Sequence, residues 1–479
     1  MTKITDWGAQ DLSRAIHAKD VSCVEVMHAY LERIHALNHS TNAIVQMCDD
    51  EALLVQAAAR DAEMSAGRDR GWMHGIPQAI KDTTQVQGMP TSLGSVLLKD
   101  NIPMSDSITV ERVRAAGAII VGKTNVPELG LGSHTFNDVY GATPNAYDPS
   151  RSAGGSSGGA AAALAHRMLP VADGSDFMGS LRNPAGWNNI FGMRPSHGAV
   201  PSAPGADIWV SHLGTEGPMA RRVEDLVGLF KTQAGYDSRQ PLSVDVGVSA
   251  GGVDPTLNGV RIGWLGDLDG HLAVESGVLE ACLSGIKRME AGGASVEEVH
   301  VDLDLESVWS AWLTWRGVLL GPRLAALLAL PGARDILKPE AIWEYDHSLG
   351  ITLKDFTRAS EVRTTLYNRL NGLLKKYDVL ALPVAQVWPF PIEQRWPQSI
   401  GERRMDSYHR WMEVTIYATL AGLPAISVPT EFNMIGQWPM GIQLIGRPRG
   451  DFDLLALAGR YERYIDDWLN TPAHSAQLF

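Results

Sequence analysis

The spacing of apolar residues changes several times along this chain, and each change marks a different kind of element. Over residues 8–66 apolar side chains recur every three or four positions, with Val26, Tyr30, Leu31 and Ile34 on one helical face. Ser22 precedes that run and Glu25 follows three places on, the arrangement of a capping box. Beyond Gly75 short continuous apolar runs take over. Those at 117–122, 168–172, 260–264 and 379–383 have the length and flanks of buried strands. Helices are predicted at 106–116, 159–166, about 272–290, 304–328, 355–376 and 407–421. Strands alternating with helices predict an α/β layer fold with a mostly parallel sheet. The stretch 235–258, rich in Asp, Gly, Ser and Pro, predicts a long loop. No other segment reads as an interdomain linker. The chain is therefore read as one domain over 1–479, with N-terminal helices at 1–66 and a helical insertion at about 305–376.

Composition narrows the function classes. With 45% hydrophobic and 20% charged residues the chain has a soluble globular profile. A formal net charge of −13 argues against general binding to nucleic acid, whose phosphates need a basic surface. Cys23, Cys48 and Cys282 form no Cys-x-x-Cys pair, so neither a disulfide framework nor a zinc site is expected, and a reducing cytoplasmic setting is. The first residues are polar rather than an apolar leader, and no apolar run is long enough to span a bilayer, so no membrane association is expected. His35 and His39 stand four apart without the glutamate of a zinc-protease helix, and read as solvent-facing. Neither a metal nor an organic cofactor is expected.

The candidate chemistry lies in three glycine-rich places. Lys81 ends the run Gly75-Ile76-Pro77-Gln78-Ala79-Ile80, Ser156 sits in Gly154-Gly155-Ser156-Ser157-Gly158-Gly159, and Ser180 follows Gly179. A hydroxyl becomes a nucleophile only beside a base. A lysine held in apolar surroundings loses its charge and can be that base. Glycines let the backbone come close to a substrate. Residues 154–159 taken alone also have linker composition, but the alanine-rich run after them continues as a helix. They lack the Gly-Lys-Ser/Thr ending of a phosphate-binding loop. Gly154-Gly155-Ser156-Ser157-Gly158 matches the Gly-x-Ser-x-Gly elbow of α/β-hydrolases as well. That elbow needs a strand just ahead, where 145–151 is polar and turn-like, and a later histidine such as His409 or His474. For Lys81 the plain alternative is a surface lysine paired with Asp82.

Further motifs stand in the same order along the chain. They include Gly122-Lys123-Thr124-Asn125, Asp176 with Gly179-Ser180-Leu181-Arg182, Pro184-Ala185, Gly422-Leu423-Pro424 and Gly441-Ile442-Gln443. With them the sequence resembles the amidase signature family of serine hydrolases over most of its length. The resemblance implies a large mixed central β-sheet covered by helices on both faces. It implies a Ser-Ser-Lys triad with Lys81 as base, Ser156 as bridge and Ser180 as nucleophile, passing through an acyl-enzyme. It further implies a cis peptide between Gly155 and Ser156, and an oxyanion hole of backbone N–H groups from Phe177, Met178, Gly179 and Ser180. Gly155, Ser157, Asp176 and Arg182 would support the site. The chain departs from the family pattern at Phe177 and Met178, where a small polar residue and a glycine are usual. Methionine takes up a positive φ poorly, so a loop that demanded one at Met178 would have an altered hole.

Seven of the 14 tryptophans, Trp309, Trp312, Trp315, Trp343, Trp388, Trp396 and Trp411, lie within 305–411. Aromatic side chains line apolar ligand pockets. The every-third spacing of Trp309, Trp312 and Trp315 is also that of plain core packing, but together with Phe177 and Met178 they are the candidate substrate contacts. The expected substrate is a bulky, apolar or aryl amide, with carbamates and esters chemically adjacent. The alternative is the glutaminase-type subunit of an amidotransferase that feeds ammonia to a partner. No nucleic acid is expected to bind the chain itself, and a homodimer is compatible with the reading.

Overall fold

The computed structural model describes residues 3–202, 205, 207–247 and 255–474. Strands β1 (Ile44–Val45), β2 (Pro77–Lys81) and β3 (Ile119–Thr124) form a small sheet in the order β1-β3-β2. Chain order continues with β4 (Val171–Asp176), β5 (Phe191–Arg194), β6 (Thr215–Ala220), β7 (Arg261–Trp264), β8 (Ser295–Glu298) and β9 (Val379–Pro383). The two-residue pair β10 (Ser399–Ile400) and β11 (Arg403–Arg404) stands apart. Strands β12 (Ala425–Phe432) and β13 (Pro439–Ile445) complete the set. The large sheet has eight strands in the order β4-β6-β5-β12-β13-β9-β7-β8.

This sheet corrects the mostly parallel one expected from strand–helix alternation. Only β9, β7 and β8 run parallel; the pairs from β4 through to β9 are antiparallel. The reason is local. β12 and β13 are joined by a short turn, and antiparallel neighbours need no crossover helix. The mixed sheet is the one the family resemblance implies.

The helices Ala9–Ala18, Cys23–Thr41 and Asp50–Ser65 occupy the N-terminal region as expected, and Ser22 and Glu25 close the predicted capping box. Leu305–Leu328 and Leu353–Leu374 fall where the periodicity put them and pack on each other. The strand expected at 168–172 lies three residues later, at β4. From its third residue on it carries Asp173, Ser175 and Asp176, polar residues that mask a strand buried on both faces. Residues 235–247 and 255–258 form no helix or strand, as predicted; 248–254 lie outside the described residues. The two sheets meet through side chains, since the Lys81 N–H at the end of β2 donates to both carboxylate oxygens of Asp173 on β4 at 3.3 Å.

Candidate active site

Lys81 is the last residue of β2 and is fully buried. The surface pairing with Asp82 does not form. Asp82 turns to the buried Lys123 amine at 3.6 Å and to the Ser92 hydroxyl at 2.6 Å. Lys81 Nζ lies instead 2.8 Å from Ser156 Oγ, 2.9 Å from Ser157 Oγ and 3.0 Å from Ser175 Oγ, with Ser175 O at 3.3 Å. Among the described residues no carboxylate bonds to the amine. Burial lowers its pKa to about 7 against the raising influence of Asp173, Asp176 and Glu216.

Ser156 and Ser157 lead into the helix Gly158–Ala165, and the Gly155–Ser156 peptide is cis, as the resemblance implies. No strand precedes Ser156; residues 144–152 make only isolated bridges. The elbow of an α/β-hydrolase is therefore not formed. His409, one histidine that elbow could have used, is enclosed by Trp309, Trp343 and Tyr408, with both ring nitrogens unbonded. Close packing brings β4 against Ser157, since a Cβ on Gly174 would come within 2.6 Å of Ser157 Oγ.

Ser180 sits just past β4 and is 6% exposed. Its carbonyl accepts the Ser157 N–H at 3.2 Å, which ties the two serine segments together. Among the hydrogen bonds of the described residues none joins the Ser156 and Ser180 hydroxyls, so the bridge expected between them is open here. Such bonds are commonly long in the absence of substrate and tighten around it.

The loop that carries Ser180 is held by a buried ion network. Asp176 meets Arg182 through two bonds of 3.0 Å and Arg194 at 3.5 Å, all three side chains fully buried. Burial alone would raise the Asp176 carboxyl; the two guanidiniums outweigh it and hold it below the usual carboxylate range. Arg182 continues to Gln443 Oε1 on β13 at 2.5 Å, so the loop is fastened to the middle of the large sheet. Asp176 also accepts the N–H groups of Gly179 at 2.9 Å and Leu181 at 3.2 Å. The Gly179 N–H, one of the expected oxyanion donors, is thereby engaged by Asp176. Positive φ falls on Gly179, at +80°, where a Cβ would also come within 2.6 Å of Thr415 Cγ2. Met178 carries no such demand, so its replacement of a glycine leaves the backbone unstrained.

Asp176→Asn is expected to leave two buried guanidiniums short of a counter-charge. Breaking a buried ion pair from one side costs about 3–5 kcal/mol, and the loss is read from the denaturant midpoint at pH 7.

Of the substrate candidates, Met178 is buried and Phe177 half-buried, its ring 5.4 Å from that of Trp312. Trp309 packs on His409 and under Arg410, and Trp315 on Phe356 and Arg363. Only Trp312 of the three makes a ring contact with the residues preceding Ser180. Three participants were missed from sequence: Ser175, Arg194 and Gln443. Each lies in a quoted or neighbouring motif, but only the third dimension shows its polar atom aimed at Lys81, Asp176 or Arg182.

A family model described as Amidase matches residues 25–455. The chain belongs to the amidase signature family. It is a hydrolase of amide C–N bonds. Among curated relatives it is 34% identical to a glutamyl-tRNA(Gln) amidotransferase subunit from Thermosynechococcus vestitus, over 98% of each chain. It is also 34% identical to an acylamidase of Rhodococcus erythropolis, over 95% of this chain and 94% of that one. Among solved structures it superposes on a bacterial aryl acylamidase with a TM-score of 0.90 and 25% identity, covering 98% of both. No helix among the described residues is long and apolar enough to cross a membrane.

Proposed function

We propose that the enzyme cleaves a bulky apolar or aryl amide through an acyl-enzyme on Ser180, with Lys81 as base and Ser156 as the bridge. One observation carries the reading: a fully buried amine, brought to about 7, lies 2.8 Å from the Ser156 hydroxyl. A neutral amine has two N–H donors and one lone pair, whereas three hydroxyls surround Nζ. One of them must turn its O–H toward nitrogen. Ser157 already faces Ser175 O at 3.5 Å and receives the Ser175 N–H at 3.4 Å. That leaves the hydroxyls of Ser156 and Ser175 to donate to the lone pair, and Ser156 is the nearer, at 2.8 Å against 3.0 Å.

In the reaction Ser156 gives its proton to Lys81 and takes the one from Ser180. Ser180 Oγ bonds to the amide carbon, and the carbonyl oxygen gains the charge. The Phe177, Met178 and Ser180 N–H groups are the proposed donors to it; one such donor is worth about 2.7–4 kcal/mol in a hydrolase. As the C–N bond breaks, Ser156 returns its proton to the leaving nitrogen and recovers one from Lys81. Water then attacks the ester by the same route, releasing carboxylate and restoring Ser180. Esters and carbamates fit the same chemistry.

The bulk around Phe177 supports an aryl or large acyl group, as does the likeness to acylamidases. Replacing Phe177 with threonine and Met178 with glycine is expected to raise turnover of small primary amides relative to anilides by about tenfold, the scale of one to two kcal/mol in a hydrophobic pocket. Kinetics over a matched amide series check this; an unchanged ratio removes Phe177 and Met178 from substrate selection. The likeness to amidotransferase subunits supports a second reading, a glutaminase that feeds a partner. Glutamine turnover far above that of anilides, with co-purification of a second subunit, would favour it.

A further inference from the structure

Near Lys81 two carboxyl side chains lie on the large sheet, Asp173 buried and Glu216 half-buried. Asp173 and Ser175 are two apart on β4 and so share a face. Glu216 on β6 is the register partner of Ser175 and therefore lies on that same face, diagonal to Asp173. The Lys81 amine touches Ser175 Oγ, and the Lys81 N–H is held by Asp173. Glu216 accepts the Thr109 hydroxyl, and among the described residues no cation bonds to it. Neither acid has an ion-pair partner among the described residues, and burial disfavours the charged form of such a group.

We propose that Asp173 and Glu216 form an acid pair beside Lys81 that regulates the site, their ionisation setting the pH at which Lys81 becomes a free base. The proposal rests on the reading of Lys81 as the base. Burial raises Asp173 to about 6 and Glu216 to about 7, so both titrate in the same range as Lys81. Ionised, the pair favours the ammonium and delays activation; protonated, it releases that hold. Groups this close titrate as a set, not as individuals.

The surrounding charges leave the pair this role. Lys81 faces it from β2 and Lys123 from β3, the latter shared with Asp82. Asp176 is occupied by Arg182 and by Arg194 from β5. The helix Gly158–Ala165 contributes no charge. On the helix Ile108–Ala115, Arg112 turns to Gln233 O, Arg114 to Asp106 and Glu111 to Arg239, leaving Thr109 as the polar contact. On the helix Val223–Gln233, Asp225 holds the Gln10 N–H, Glu224 meets Arg14 and Lys231 lies over Phe452.

The test is the rate of labelling by an uncharged fluorophosphonate between pH 5 and 9. Glu216→Gln and Asp173→Asn are each expected to move the acid midpoint down by about one unit. That raises the rate at pH 5.5, relative to each variant's own plateau, by about five- to tenfold. Thr109→Val shifts it the same way, because Glu216 loses the bond that favours its ionised form. If one substitution prevents folding, the other two carry the test. Folded variants whose midpoint stays in place overturn the proposal; a purely structural role would change the plateau or the stability and leave the midpoint alone. Lys81→Met separates the two levels. If it keeps the wild-type acid limb, the base assignment itself fails. If it loses the limb while Glu216→Gln leaves it unmoved, only the acid pair fails.

Discussion

Ser180→Ala is expected to abolish labelling by a fluorophosphonate and to lower amide turnover by about 10⁴- to 10⁶-fold, the scale on which serine hydrolases lose activity with their nucleophile. The fold should survive, since the loop is held by Asp176, Arg182, Arg194 and Gln443 rather than by the Ser180 hydroxyl. Peptide mapping of the wild-type adduct should place it on Ser180. Ser156→Ala removes the proton path but keeps the nucleophile, so slow labelling should remain. An adduct on Ser156 instead would reverse the two assignments. Ser156 is the serine that contacts Lys81 directly, and this makes the comparison a real one.

Removing the base should cost about 10²- to 10⁴-fold, the usual contribution of general base catalysis. Lys81→Met keeps an unbranched apolar stem one atom shorter than lysine and has no lone pair of sufficient basicity. Lys81→Arg tests the charge state. A guanidinium does not lose its proton in a protein, so it can donate to Ser156 but cannot take the proton away. Both variants should show that loss at neutral pH and above while keeping a slow residual rate, and they should differ in stability. The methionine fits a site where burial already opposes a cation, whereas the arginine forces a permanent charge into it. Turnover and denaturant midpoints of the two variants check both parts. An arginine variant that retained activity would show that Lys81 acts as a cation.

Much of this was legible in the chain because the motifs are local. Lys81 ends an apolar run that pointed to desolvation without excluding a surface lysine, and that run becomes the buried strand β2. The helix after Ser157 and the long helices at 305–328 and 353–374 came from alanine content and period. What could not be read was long-range. Strand direction depends on how connections pack, and the antiparallel majority of the large sheet arises from pairings such as β5 with β12. The polar end of β4 hid how far the strand expected at 168–172 runs, because its Asp and Ser residues are satisfied by partners on other elements. The Gly179 N–H, an expected oxyanion donor, gave no sign in the sequence of its bond to Asp176. Arg194 stands in an unremarkable Arg-Pro-Ser triplet, yet its side chain spans Asp176 O and Leu213 O. Three tryptophans at equal spacing gave no means of telling Trp312, beside Phe177, from Trp309 and Trp315 in packing roles.

Catalysis turns on whether the amine at the end of β2 is uncharged when the enzyme works. The most direct measurement is the pH dependence of fluorophosphonate labelling of the wild-type enzyme, compared with its Lys81→Met variant. A single acid limb with its midpoint near pH 7, the rate rising as the proton leaves, and no such limb in the variant, is the predicted result. A wild-type rate that stays level from pH 5 to pH 9 would contradict it.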